Sequence, residues 1–126
     1  MRTVGIICEF NPLHSGHAYL MAQLRQKGAE AIVCAMSGNF VQRGEPALAH
    51  KLARAEMAVD CGADLVLELP TPWAMATAET FAMGGVQLLH MAGCSHIAFG
   101  SECGDAALLQ KTADILLLPQ FQADIL

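Results

Sequence analysis

Two imidazoles stand three residues apart in the run Glu9-Phe10-Asn11-Pro12-Leu13-His14-Ser15-Gly16-His17. Asn11-Pro12 supplies a turn, and a helix opening near His14 would project both rings from one side of its first turn, because i and i+3 share a helix face. A helix N-terminus offers free N–H groups and the positive end of the backbone dipole, which together favour phosphate. Two imidazole donors added there can hold the oxygens of a triphosphate and the charge developing at its α-phosphorus. The chemistry implied is nucleotidyl transfer. Gly16 would let a flat or bulky ligand approach the backbone. Two other readings compete: a pair of solvated histidines at a helix start, and a zinc site. Zinc wants a third and fourth ligand, and only Cys8 or Glu9 is near in sequence.

The elements that must position this run recur at a regular spacing. Short apolar runs with strand character lie at Thr3–Cys8, Ala31–Met36, Leu65–Leu69 and His96–Phe99, their starts separated by 28, 34 and 31 residues. Between them the pattern predicts helices over Ser15–Gln26, Pro46–Cys61 and Ala74–Ala92, stopped by Gly28, Gly62 and Gly93, and a fourth opening at Asp105 that runs into Pro119. Residues 120–126 begin a further segment. Leu48, Leu52, Ala55 and Val59 form the expected apolar stripe of the second helix, with Lys51, Arg54 and Glu56 off it and Pro46 at its first position. Ala78, Ala82, Val86 and Leu89 align in the third, where Gly84-Gly85 points to close backbone packing. Strands apolar on both faces and alternating with helices predict an α/β, Rossmann-like parallel sheet of about four strands with helices on both faces. In such sheets ligands bind at the carboxyl ends of the strands where strand order reverses, and the first strand normally flanks that point.

Composition narrows the function classes. The 126 residues fit one domain, with 54% hydrophobic and 15% charged residues. That is too few charges to cover a lone sphere comfortably, so a further domain or subunit on an apolar surface is expected. Seven Lys/Arg against twelve Asp/Glu give a net charge of −5 with no basic cluster, a poor basis for binding nucleic acid through this chain. Five cysteines, Cys8, Cys34, Cys61, Cys94 and Cys103, form no C-x-x-C pair and sit in or beside apolar runs; reduced, packed thiols are expected, with nothing to depress their pKa. The N-terminal apolar run is too short for a signal peptide and no run is long enough to span a membrane, so a soluble, cytoplasmic protein is expected.

The Glu9–His17 run resembles the H-x-G-H signature of nucleotidyltransferases, and in its E-[FY]-N-P-[FL]-H-x-G-H form it resembles the bacterial tRNA(Met) cytidine acetate ligase family. Three further stretches match that family: Met36–Ala47, Arg54–Ala58 followed by Gly62–Pro70, and Phe99-Gly100-Ser101-Glu102. The resemblance implies that residues 1–126 form a nucleotidyltransferase-like ATP-binding domain, incomplete at its C-terminal end. It implies activation of acetate by ATP as acetyl-adenylate, then transfer of the acetyl group to N4 of the wobble cytidine of elongator tRNA(Met). ATP is the expected substrate, with Mg2+, and tRNA would be engaged through a region outside these residues. By the same resemblance His14 and His17 act on the phosphates. The ATP-binding segment comprises Ile7, Cys8, Glu9, Phe10, Asn11, Pro12, Leu13, His14, Ser15, Gly16, His17, Ala18, Tyr19 and Leu20, together with Gly100 past the fourth strand. Longer family members add an Asn and an Arg to the ATP site from beyond the region present here.

Other residues carry weaker signals. Arg43, with Asn39 and Gln42 beside it, lies in the loop after the second strand and could reach a phosphate or carboxylate. Glu68 and Glu102, at strand ends, could hold magnesium or a ribose hydroxyl, although carboxylates there often only cap the next helix; for Glu68 that is the favoured role. Trp73 could stack on adenine but is more simply a core or interface residue. His50, His90 and His96 lack a partner pattern, and no residue set is assigned as a metal site. The alternatives are a small-molecule adenylyltransferase and a non-catalytic nucleotide-binding remnant. The small-molecule enzymes share H-x-G-H but not the Ser37–Ala47 and Gly62–Pro70 runs.

Overall fold

Three helices end in the same way. After Ser15–Gln26 (α1), Lys51–Asp60 (α2) and Ala78–Met91 (α4) the chain turns through Gly28, Gly62 and Gly93, whose φ values are 91, 115 and 80°. Only glycine enters that region freely. In each turn the next residue's N–H caps the last helical turn, as in Ala29 N to Leu24 O, Ala63 N to Ala58 O and Cys94 N to Leu89 O. The chain is thus reversed toward Ala31–Ser37 (β2), Leu65–Leu69 (β3) and His96–Ile97 (β4), which join Thr3–Cys8 (β1). A computed structural model describes residues 1–125; Leu126, the end of the predicted final segment, lies outside them.

The sheet is fully parallel with order β3-β2-β1-β4. Thr3 pairs with Ala31 through to Cys8 with Met36, and Val33 with Leu65 through to Ser37 with Leu69. Strand order reverses at β1, which lies between β2 and β4. Alternate side chains feed two cores. Val4, Ile6, Cys8, Ile32, Cys34 and Met36 pack on one face with Met21 of α1 and Ala58 of α2. Val33 and Ala35 pack on the other with Leu89 of α4. Burying side chains such as Ile32 and Leu89 stabilises by about 1.5–3 kcal/mol each. The expected close packing of α4 is present: a Cβ on Gly85 would lie 2.7 Å from Ile7 Cγ2, and one on Gly84 would lie 2.3 Å from Trp73 Cδ1.

Several boundaries differ from the pattern. The second helix starts at Lys51, not Pro46, because the donors and acceptors of residues 46–51 are committed to loops. Pro46 bridges Phe40, Ala47 N–H donates to Asn39 O, Leu48 N–H to Asn11 Oδ1 at 2.7 Å, and Lys51 N–H to Asn39 Oδ1 at 2.9 Å. His50 caps the shortened helix through Leu52 N–H. Its buried face is also different: Arg54 and Ala58 are buried while Leu48, Leu52 and Val59 are exposed. The third predicted helix starts at Ala78, not Ala74, because Thr77 caps it through Thr80 N–H, and a separate single turn, Thr71–Ala74 (α3), precedes it. Gly84, Gly85 and Leu89 form its buried face; Ala78, Ala82 and Val86 are exposed. The fourth strand is two residues long.

The last two helices are Ala106–Leu116 (α5), capped by Asp105 through Ala107 and Leu108 N–H, and Pro119–Ile125 (α6). Leu108, Ile115, Leu116, Leu117 and Leu118 in this segment are all exposed. Among the described residues no helix is long and apolar enough to cross a membrane.

Candidate functional site

Beyond β1 the backbone turns sharply. Phe10 is buried and adopts φ 46°, a left-handed conformation uncommon for a residue with a side chain, and the Asn11–Pro12 bond is cis. This turn delivers the chain to α1 with His14 as its N-cap. His14 Nδ1 accepts from Gly16 N–H at 3.1 Å, and His17 Nδ1 accepts from His14 N–H at 3.2 Å. The two histidines therefore build a capping box, a role usually filled by Ser/Thr and Glu/Gln.

Both Nδ1 atoms are acceptors, so the neutral rings carry their protons on Nε2 and keep one donor each. The rings stack with centroids 3.7 Å apart and planes 24° apart, and Phe10 lies 4.9 Å from His17 at 60°. Burial, then the neighbouring His14, pull the His17 pKa below the usual imidazole value. The outcome is a rigid pair of N–H donors at the positive end of α1. Gly16 has a specific reason to be glycine: a Cβ there would lie 3.0 Å from His14 Cε1 and 3.1 Å from Nδ1. The space it leaves is filled by the His14 ring.

These groups border a cleft of about 530 Å3 at the carboxyl ends of β1 and β4. Of the residues expected at the nucleotide, Ile7, Cys8, Glu9, Phe10, Asn11, Pro12, His14, His17, Leu20 and Gly100 line it. Tyr19 lines an adjoining cavity of about 410 Å3, which shares Leu20 and Gly100. Leu13, Ser15, Gly16 and Ala18 line neither. A Cβ on Gly100 would meet no atom within 4 Å.

Arg43 and Glu102 are exposed and border neither cavity; Arg43 holds a left-handed φ of 68° in the turn Gln42–Gly44. Glu68 is engaged by Lys51 Nζ at 2.6 Å. Trp73 packs against Gly84. Phe81 from α4 lines the cleft with no sequence signal, Ile6 is marked by the sequence only as a strand residue, and Phe99 only as part of the Phe99–Glu102 motif. Their approach depends on how α4 and the post-β4 segment fold over the cleft.

The expectation for the thiols needs correction. Burial raises Cys8, as expected of a packed thiol, but Cys103 is exposed and its pKa is lowered by hydrogen bonding with the Asp105 backbone and the Ser101 side chain. Among the described residues no group of three or more His, Cys, Asp or Glu could hold a metal ion. Among the described residues Glu9 is the one carboxylate lining the cleft, with Oε2 accepting from Gln42 N–H at 2.8 Å. That donor set fits magnesium carried largely by phosphates, since Mg2+ is typically bound by one or two carboxylates plus substrate oxygens.

The HIGH Nucleotidyl Transferase family model matches residues 1–124, over which a parallel α/β sheet carries the H-x-G-H helix cap at its switch point, and the chain belongs to this family. Its relatives are more specific. It is 53% identical over 117 residues to the tRNA(Met) cytidine acetate ligase of Syntrophotalea carbinolica, covering 92% of this chain and 28% of that protein. It is 48% identical over 125 residues to the tRNA(Met) cytidine acetate ligase of a Geobacillus species, covering 98% and 31%. The crystal structure of Thermotoga maritima TmcAL bound with alpha-thio ATP superposes with a TM-score of 0.86 at 44% identity, covering 92% of this chain and 28% of that one. The chain spans under a third of the length of these relatives.

Proposed function

We propose that this chain binds ATP in the cleft between β1 and β4 and belongs to the acetate-activating machinery of a tRNA(Met) cytidine acetate ligase. The observation that carries the reading is the stacked His14–His17 pair, two fixed Nε2–H donors at the N-terminus of α1 inside that cleft. The likeness to relatives that carry this name, and to a structure holding an ATP analogue, supports it. In the proposed reaction an acetate oxygen attacks the α-phosphorus, the bond from α-phosphorus to the bridging oxygen breaks, and pyrophosphate leaves with acetyl-adenylate formed. N4 of the wobble cytidine then attacks the acetyl carbonyl, loses a proton, and AMP departs. The imidazole donors and the free N–H groups of α1 stabilise charge on the phosphates as the first step proceeds. Mg2+ would neutralise triphosphate charge, with Glu9 as the protein's carboxylate beside it.

In this reading Ile7–Leu20 and Gly100 form the nucleotide segment, while Arg43 and Glu102 act only with a further part of the ligase placed over the strand ends. The scattered Lys/Arg and net charge of −5 support a reading in which tRNA is recognised by such a part. The exposed apolar side chains of α5 and α6 supply a surface for it. Calorimetry with ATP tests the core claim: binding should weaken in His17→Ala, and an unchanged isotherm in the double variant His14→Ala, His17→Ala refutes it. Isotope exchange between pyrophosphate and ATP tests the chemistry. Exchange that depends on acetate supports acetyl-adenylate formation. Exchange driven by pantetheine phosphate or nicotinate mononucleotide reassigns the chain to the small-molecule adenylyltransferases, and binding with no exchange leaves a nucleotide-binding module.

A further inference from the structure

Arg54 is the largest of the fully buried side chains, and among the described residues no carboxylate forms an ion pair with it. Its ligands are four backbone carbonyls. Nε donates to Ala49 O at 3.1 Å, Nη1 to Glu9 O, and Nη2 both to Ser37 O at 3.1 Å and to Gly38 O. A buried cation is costly unless its donors are satisfied, and charge-assisted bonds to converging carbonyls offset that cost. Burial lowers the guanidinium pKa, against which the nearby Glu9 and Glu68 carboxylates act to keep it charged.

The position of these carbonyls matters. Cys8 and Ser37 are the last residues of β1 and β2, so Glu9 O and Gly38 O lie where the two strands cease to pair and their carbonyls lose ladder partners. Immediately after Glu9 the backbone enters the left-handed turn at Phe10, a strained conformation that persists only where its surroundings hold it. The Phe10 ring then meets His17, whose Nδ1 holds the N-cap of α1. Residues 38–51 are stitched to the same wall by Gln42 N–H on Glu9 Oε2 and Leu48 N–H on Asn11 Oδ1, and closed on themselves by Lys51 N–H on Asn39 Oδ1.

We infer that Arg54 is a positioning residue for the nucleotide cleft: by gathering the carbonyls at the ends of β1 and β2 it fixes the Glu9–Phe10 turn and, through the Phe10 ring, the placement of the His17 imidazole. This rests on the ATP reading above and adds to it a control point on α2 that does not line the cleft. A lysine cannot replace the guanidinium, because it carries a compact head with three donors in place of a planar fork.

The test is Arg54→Lys in the whole chain, with three readouts: circular dichroism for folding, calorimetry with MgATP, and the imidazole NMR resonances of His17. The expected result is a folded protein in which ATP binds at least about tenfold more weakly, since small misplacements of catalytic groups carry penalties of that size or more. The His17 resonances should shift and titrate with a different midpoint. A lower melting temperature with unchanged ATP affinity and unmoved His17 resonances would show a purely structural role and overturn the inference. Where Arg54→Lys fails to fold, Phe10→Leu decides: it severs the ring contact and leaves the Glu9 carbonyl held, and unmoved His17 resonances overturn the inference there too. Absence of ATP binding by the wild-type chain would refute the nucleotide reading instead, while the His17 resonances would still report on Arg54.

Discussion

Gly16→Ala separates what the glycine between the histidines does for the fold from what it does for the site. A helix gains up to about 1 kcal/mol when alanine replaces glycine. Here the new Cβ falls 3.0 Å from His14 Cε1 and 3.1 Å from Nδ1, and the ring is already held by its stack on His17 and its bond to Gly16 N–H. The exposed ring must give by a few tenths of an ångström, which weakens its bond to Gly16 N–H, part of a cap contributing about 1 kcal/mol. The two terms nearly cancel, so the melting temperature should change by no more than about 4 °C. Binding does not cancel. A displaced imidazole removes one hydrogen bond to a charged phosphate, about 1.5–3 kcal/mol, which corresponds to a loss of roughly tenfold to a hundredfold in ATP affinity. Differential scanning calorimetry and titration calorimetry on the same preparation measure both quantities. Wild-type affinity in Gly16→Ala, with the His14 imidazole resonances unmoved, would refute the steric argument. Equal losses in stability and affinity would show that the glycine serves the helix rather than the ring.

Two further outcomes follow from the titrating groups. Because the fold holds the His17 pKa below its ordinary value, its neutral form is favoured, and its contribution to stability is present above the ordinary imidazole pKa and declines as pH falls below it. Protonation at Nδ1 breaks the bond from His14 N–H and adds repulsion from the His14 ring, so ATP binding should weaken as pH falls below the ordinary imidazole range, measurable by titration calorimetry across that range, and His17→Asn should flatten the dependence. Cys103 is exposed with a lowered pKa while burial raises Cys8, so an aromatic disulfide reagent at neutral pH should show one fast thiol that Cys103→Ser abolishes and Cys8→Ser leaves intact.

What the sequence reveals and what it conceals divide along physical lines. The limits of β1, α1 and β3 are legible to the residue because local signals agree there: apolar runs, and a glycine just past a helix that can be satisfied only by a left-handed turn. The histidine spacing likewise places both rings at one helix start without knowledge of the rest of the molecule. Arg54 is misread for the opposite reason. Periodicity assigns a charged residue to solvent, yet whether four carbonyls await it is decided by where β1 and β2 end, a relation between residues up to 45 positions apart. The neighbouring alanines, Ala49, Ala53, Ala55 and Ala58, were the available sign of a closely packed helix around it. The false start of the second helix has the same origin, since Ala47-Leu48-Ala49 is helical by propensity and is held open by Asn11 and Asn39. Long-range polar contacts therefore override local preference where the strand ends open into the cleft. That is also where a site needs backbone held away from regular structure, so the failures of pattern reading at residues 46–54 lie directly behind the Glu9–Asn11 wall of the candidate site, joined to it by Leu48 and Arg54.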